Sequence, residues 1–367
     1  MEVKSFKDGI KLSRLGMGNM RLPVIENTET IDFLKSQEII DYAMSHGINY
    51  YDTAYVYSKG DSERFLGQAM KKYKRDSFYL ATKWNYGANP DFKAVFQEQL
   101  ERLNTDYIDF YLIHCLTDDN IDSYIQSGGI EYFLEMKRIG KIKYLGFSSH
   151  ASVETLRRFA DYTNWDFAQL QINYLDWNYS KTKEEYQILK DRNIPTMVME
   201  PVRGGRLAKL SHPAEALLKH AHKDWSIASW ALRFVRTLDN VLVILSGMSS
   251  LEQIKDNIET FNDDTKLTKE DIDILFKACK IFHEDIYIPC TGCRYCVDDC
   301  PSSINIPEYL KLLNDYKIEG MDTFEDREEI KSIGTPKDCI KCETCMGHCP
   351  QNIKIPSFLE ELAKVLK

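Results

Sequence analysis

Between residues 10 and 250, short runs rich in β-branched and aromatic residues alternate with longer stretches of helical period. The runs are LGMGNMR (15–21), INYYDTA (48–54), FYLATKW (78–84), DFYLIH (109–114), YLGFSS (144–149), FAQLQIN (167–173), PTMVMEP (195–201) and VLVILSG (241–247). They are apolar almost throughout instead of alternating, the pattern of parallel strands covered on both faces. Stretches such as SQEIIDYAMSHG, SERFLGQAMKKY, VFQEQLERLN, VETLRRFADYT and LEQIKDNIETF supply helices between them, with Gly47 placed to end the first and Ser62 to cap the second. Eight β-then-α units predict an α/β fold, a (β/α)8 TIM barrel. A doubly wound open sheet is the alternative, but no glycine-rich fingerprint follows the first strand.

Beyond residue 250 the strand pattern stops. Thr268 and Asp271 predict a capping box for a helix, TKEDIDILFKACKIF. It leads into an internal repeat, in which Cys290, Cys293, Cys296, Cys300, Pro301, Ile304, Ile306, Pro307 and Leu310 recur as Cys339, Cys342, Cys345, Cys349, Pro350, Ile353, Ile355, Pro356 and Leu359. Each copy's second proline suits the first turn of a helix. The expected division is a barrel over 1–280 and a small, mainly helical domain over 281–367.

Composition narrows the function. With 43% apolar residues and no long apolar run, the chain reads as globular, with no membrane span expected. A net charge of -9 argues against a nucleic-acid partner, and the basic run KKYKR (71–75) reads as the solvated end of a helix. The opening residues MEVKSFKDGIKLS lack the apolar core of a signal peptide, so a cytoplasmic location is expected. In that compartment the ten cysteines are expected to be thiols, not disulfides. Cys115 and Cys279, outside the repeat, read as small core residues.

In such a barrel, chemistry gathers where strands run into the following loops. Those ends carry Asp52, Lys83, His114, Ser148 and Ser149, Gln169 and Asn173, and Glu200. Each alone reads more readily as a hydrogen-bonded structural group; several titratable types meeting at one rim suggest a site. A phenol is too weak an acid to protonate a carbonyl at neutral pH, but an adjacent ammonium stabilises its phenolate and a paired carboxylate holds the ammonium charged. Asp52, Lys83 and Tyr57 suit that chain, with His114 placed to hydrogen-bond a carbonyl. Trp84, Tyr55 and Trp177 are aromatic candidates for a pocket wall, although core packing is the more common role for any one of them.

GINYYDTAYVYSKGDSERFLGQA (47–69), Lys83 in ATKW, His114 in YLIH and the turn LGFSSH resemble the aldo-keto reductases over about residues 8–260. The resemblance implies the barrel, a tetrad of Asp52, Tyr57, Lys83 and His114, and hydride exchange between NADP or NAD and a small carbonyl or alcohol substrate, with Tyr57 as general acid. It also implies that Ser148, Ser149 and Gln169 hold the nicotinamide carboxamide. Ser149 stands where the family usually has Asn, Met199 where an aromatic residue often stacks on the nicotinamide, and Glu200 where serine is common. Gly204 and Gly205 allow a close approach to the pyrophosphate. Ser246, Gly247, Ser250, Gln253 and Asn257 match the adenosine-phosphate segment. Gln253 replaces the arginine of NADPH-specific members, which predicts use of NADH or of both nucleotides.

Each cysteine cluster reads C-x2-C-x2-C-x3-C-P. This spacing suits the corners of a 4Fe–4S cube, with the fourth cysteine serving the other cluster; zinc normally takes two separated pairs. The expected ligand sets are Cys290, Cys293, Cys296 and Cys349 for one cluster, and Cys339, Cys342, Cys345 and Cys300 for the other. The tail resembles two-cluster bacterial ferredoxins in its ligands, and the whole is similar to the iron–sulfur subgroup of aldo-keto reductases. Asp298 and Asp299 beside Cys300 are expected to lower that cluster's potential. Two roles stand open for the clusters: a structural staple, or a wire to ferredoxin or another electron carrier. The expected function is carbonyl reduction or its reverse; the alternative is an electron-transfer protein whose barrel binds a dinucleotide as a sensor or docking module.

Overall fold

The computed structural model describes residues 1–26, 28–285, 288–319, 330 and 332–366. It divides into two compact units, one formed by Met1–Val202 with Asp224–Ile272, the other by Arg203–Lys223 with the chain from Asp273 onward.

The first unit opens with an antiparallel hairpin, β1 (Val3–Ser5) and β2 (Lys11–Ser13), which the sequence reading missed because VKS and KLS each carry only one apolar residue. Eight parallel strands follow: β3 (Leu15–Gly18), β4 (Tyr50–Asp52), β5 (Tyr79–Trp84), β6 (Ile108–Leu116), β7 (Ile142–Ser149), β8 (Phe167–Gln171), β9 (Thr196–Met199) and β10 (Val241–Ser246). They close into a barrel through parallel pairing of β10 with β3, Ile244 opposite Leu15. All eight apolar runs became strands, and helices fill the intervals between most of them. Closure leaves no edge strand in the ring, with register shifts at Val241/Val243 and Ile113/Leu116.

The hairpin accounts for which end of the barrel is free. Phe6, Ile10 and Leu12 pack with Tyr50, Phe110, Tyr144, Phe167 and Leu245 at the end where strands begin. The Phe6 ring meets Phe110 at 5.8 Å and Tyr144 at 5.0 Å. Buried charges tie the same end: Asp109 receives Arg75 at 2.6 Å and Lys143 at 2.9 Å, and Asp166 receives Lys7 at 2.7 Å and Lys137. Of the run 71–75, Lys71, Lys72 and Lys74 are exposed as expected, but Arg75 departs from the reading, because it also donates to the carbonyls of Phe78 and Tyr107. The buried carboxylate of Asp109 draws it in.

Helix ends follow local chemistry with one correction. Gly47 takes φ 85 just past the helix Phe33–Ser45, as a stop signal should. Ser62, expected to cap Asp61–Ala69, lies inside it; Gly60 takes the cap position at φ 91. The Ser62 hydroxyl instead donates to the Asn19 carbonyl at 2.8 Å and bonds Thr53 Oγ1 at 2.8 Å. Thr268 and Asp271 do form the expected capping box, at 2.7 to 3.1 Å.

In the second unit the two repeats bury equivalent residues in one core: Ile304 with Ile353, Ile306 with Ile355, and Leu310 with Leu359. Pro307 and Pro356 each sit in the first turn of a helix, Ile306–Glu319 and Ile355–Val365. Part of the insert between the repeats lies outside the described residues. Among the described residues, no helix is long and apolar enough to cross a membrane.

Gly67 offers a test of helix packing remote from the strand ends, since a Cβ there would stand 2.1 Å from the Arg102 carbonyl oxygen. Gly67→Ala is expected to destabilise the first unit by about 1–3 kcal/mol or more, because backbone must move. Tryptophan fluorescence during urea unfolding reads this directly: the five tryptophans lie between Trp84 and Trp230, all in that unit. An unchanged midpoint would show that the two helices separate freely.

Candidate functional site

At the open end of the barrel, strand register puts side chains from neighbouring strands at matching heights. Asp52 pairs with Gly18 on one side and Ala81 on the other, while Lys83 pairs with Leu112, two residues before His114. The ammonium of Lys83 donates to Asp52 Oδ1 at 2.5 Å, to the Thr53 carbonyl at 2.6 Å and to Tyr57 Oη at 3.4 Å. It lies 4.8 Å from the centroid of the Tyr57 ring. His114 meets that ring edge-on, with centroids 5.8 Å apart. These four side chains therefore form one contiguous group.

Electrostatics of the group follow from burial. Lys83 is 1% exposed and Asp52 3% exposed. Desolvation pushes the Asp52 carboxyl up and the Lys83 ammonium down, and their mutual attraction opposes both shifts. Each charge offsets part of the other's desolvation cost. Burial, reinforced by the charge of Lys83 and by His150, holds the His114 imidazole well below its ordinary range, so it is neutral near pH 7. His114 Nδ1 has no hydrogen-bond partner among the described residues.

Supporting residues that the sequence reading missed surround the pair. Asn19, wholly buried, donates to the Asp52 carbonyl at 2.9 Å and to the Met17 carbonyl at 3.2 Å. Gln99 donates to the Lys83 carbonyl at 2.9 Å and to Glu63 at 2.9 Å. Glu63 also accepts from Thr82 at 2.5 Å and from Arg102 at 3.0 Å. The signal was present in YSKGDSERF, where Glu63 falls in a helix's first turn and passes for an ordinary dipole partner.

The expected cofactor residues are distributed as follows. Ser148 accepts from the Cys115 N–H at 2.8 Å, and Cys115 holds a left-handed φ of 57 directly after His114. Ser149 Oγ accepts from the Ala151 N–H at 3.1 Å. Gln169 is 2% exposed, and its Oε1 has no partner among the described residues. Asn173 is not on strand β8; it caps the helix Tyr174–Tyr179, because its Oδ1 accepts from the N–H groups of Leu175 and Asp176. Glu200 takes φ 53 and lies 3.6 Å from Arg21, a cation at the β3 strand end that the sequence reading passed over. Ser246 accepts from Asn257 at 2.9 Å, Ser250 caps Leu251–Asn262, and Gln253 Oε1 accepts from the Ser249 N–H at 2.7 Å. Gly247 lies against Arg21, whose Cβ an added methyl would meet at 3.5 Å. Gly204 and Gly205, at φ 66 and 90, belong to the second unit.

Of the three aromatic candidates for a pocket wall, Trp84 is fully buried, donates to the Asn89 carbonyl and packs on Phe92, Tyr124 and Phe133. Tyr55 lies under Arg102 and donates to Glu98, and Trp177 packs on Tyr186 and Phe234. All three make packing contacts.

Within the second unit two cavities are lined by cysteine. One is bounded by Cys290, Cys293, Cys296 and Cys349, the other by Cys300, Cys339, Cys342 and Cys345. Each takes three cysteines from one repeat and the fourth from the other. Four sulfurs around one apolar-walled space suit the corners of a 4Fe–4S cube.

Comparison with known proteins agrees with both halves of this description. Residues 14–279 match the Aldo/keto reductase family and residues 289–353 match a 4Fe-4S dicluster domain. An uncharacterized oxidoreductase, YqkF, of Bacillus subtilis is 29% identical over 312 residues, covering 76% of this chain and 95% of that protein. The NADH-specific methylglyoxal reductase of Escherichia coli is 26% identical, covering 69% of this chain and 91% of its own. Among solved structures, the aldo-keto reductase AKR11C1 from Bacillus halodurans superposes with a TM-score of 0.63 at 28% identity, over 76% of this chain and 96% of that one. The chain thus belongs to the aldo/keto reductase family: it is an oxidoreductase with a (β/α)8 barrel and a C-terminal 4Fe-4S ferredoxin-type domain.

Proposed function

We propose that the protein reduces a small aldehyde or ketone to the alcohol, or runs the reverse, with a nicotinamide dinucleotide, and that its tail holds two 4Fe–4S clusters. The carrying observation is the single ammonium of Lys83 that touches both the Asp52 carboxylate and the Tyr57 hydroxyl. When bound, the reduced nicotinamide supplies a hydride to the carbonyl carbon. Tyr57 Oη donates its proton to the carbonyl oxygen, and the ammonium of Lys83 stabilises the phenolate left behind. Asp52 keeps that ammonium charged and aimed. Neutral His114 orients the carbonyl oxygen toward Tyr57.

The residues present suit the cofactor. Gln169 Oε1, buried and without a partner among the described residues, is an acceptor for the carboxamide N–H, with the hydroxyl of Ser148 beside it in register. At the other end, Gln253 is neutral and its carbonyl oxygen is committed to the Ser249 N–H, which favours NADH over a nucleotide with an additional phosphate. The similarity to an NADH-specific methylglyoxal reductase supports that preference. The crosswise sets Cys290, Cys293, Cys296, Cys349 and Cys339, Cys342, Cys345, Cys300 would hold the clusters, and the modules in sequence run over 1–280 and 281–367, with Arg203–Lys223 and the chain from Asp273 packed in the second unit.

Tyr57→Phe tests the assignment. Turnover with a reducible carbonyl is expected to fall by about two to four orders of magnitude, the contribution of a positioned general acid, while nucleotide binding stays near wild type. Full turnover in the variant would overturn the reading. Asp52→Asn is expected to lose both turnover and stability, about 3–5 kcal/mol, since it strands a buried ammonium.

A pH dependence follows from His114 and His150, both held below the ordinary histidine range by burial, His150 to about 4. On unfolding, each imidazole binds a proton below about pH 6.5 that the folded one does not. Stability is therefore full above that pH and lost as the pH falls, by up to about 1.4 kcal/mol per unit per histidine. Urea unfolding followed by tryptophan fluorescence should show His150→Asn losing stability less steeply than wild type between pH 7 and 5. Parallel slopes would contradict a neutral, half-buried His150.

A further inference from the structure

The two cysteine-lined cavities share one cysteine spacing and differ in surroundings. The Cys290 cavity is lined also by Arg294 and Gln351. Gln351 Oε1 receives Arg203 Nη2 at 3.5 Å, and Arg203 is only 4% exposed. Arg206 places its guanidinium 6.0 Å from the Phe282 ring centroid, and its Nε is buried with no hydrogen-bond acceptor among the described residues. Burial pushes the Cys290 thiol up, and the charges of Arg206 and Arg203 oppose that shift; burial likewise lowers Arg206, and Asp315 opposes it. Arg203, Gly204 and Gly205 all take left-handed φ values, so the chain turns tightly between the two arginines.

Around the Cys339 cavity the charges cancel or face water. Lys341, which lines it, is paired with Glu360 at 2.9 Å, and Glu343 lines it too. Asp299, next to Cys300, lies 3.1 Å from His348. Cys342 is exposed, and Ile340 is 68% exposed. Fixed charge is therefore concentrated on one cavity.

A desolvated guanidinium requires an anion nearby. A 4Fe–4S cube with four thiolates is an anion and becomes more negative by one charge on reduction, so an adjacent cation favours the reduced form. Resting on the reading that both cavities hold such clusters, we propose that Arg203 and Arg206 raise the reduction potential of the Cys290–Cys349 cluster, so that the first electron given to the protein resides there and not on the Cys339–Cys300 cluster. The step is a one-electron reduction, with dithionite as the donor in the test, and no proton or bond change is required. The two arginines act through the cluster's field and are positioning residues.

The experiment is a redox titration of anaerobically reconstituted full-length protein followed by electron paramagnetic resonance. Wild type is expected to show two one-electron waves. Arg206→Gln should move the higher wave downward by about tenfold in its reduction equilibrium, about 59 mV, and leave the lower wave in place. Arg203→Gln should act in the same direction, and Arg206→Lys, which keeps the charge, should restore most of the shift. Movement of the lower wave alone, of both waves equally or of neither would overturn the proposal. If Arg206→Gln assembles poorly, Arg203→Gln and Arg206→Lys carry the test. Iron and sulfide in wild type at half the amount two cubes require would instead overturn the two-cluster reading itself.

Discussion

The buried ion pair between Lys83 and Asp52 is the constraint to which the rest of the barrel answers. An ammonium 1% exposed is tolerable only with a carboxylate in contact and its remaining protons accepted. Asp52 and the Thr53 carbonyl accept two of them, and Tyr57 is the third group within reach. Placing a lysine on one strand against an aspartate on the next demands fixed register, and closure of the barrel supplies it. The hairpin plug and the ion pairs of Asp109 and Asp166 stiffen the opposite end and leave the loops after the strands to carry the site.

The strands were legible because a parallel barrel strand is buried on both faces and so reads as an unbroken apolar run. The group of Asp52, Tyr57, Lys83 and His114 was legible for a related reason: one titratable residue ending such a run reads as structural, but several ending neighbouring runs meet at one rim. Positions decided by distant partners were not legible. Arg75 looks like part of a basic surface run until Asp109 is known to lie beside it. Ser62 has the right type for a cap, yet Gly60, able to adopt φ 91, takes the position and frees the hydroxyl for Asn19 and Thr53. Asn173 reads as a strand residue until the chain turns at Ile172 and its side chain caps a helix. Glu63 gives no outward sign that it supports Lys83 through Gln99.

In the second unit the repeat announced both the cavities and their crosswise composition, since a tight three-cysteine loop leaves its fourth corner to the partner loop. It said nothing of charge. Arg203 and Arg206 lie more than eighty residues before Cys290 in the chain and enter its neighbourhood only through folding. The result is a symmetric core of paired isoleucines and leucines carrying an asymmetric field.

Whether the barrel moves two electrons together, as the Lys83–Tyr57 arrangement implies, or one at a time through the clusters is settled most directly by an isotope label. With nucleotide deuterated at the transferable position of the nicotinamide, single turnovers with an aldehyde under anaerobic conditions should place deuterium on the carbinol carbon, with none lost to solvent. Alcohol formed with solvent hydrogen at that carbon, while the deuterium appears in water or remains on the nucleotide, would contradict direct hydride transfer and move the chemistry to the iron–sulfur side.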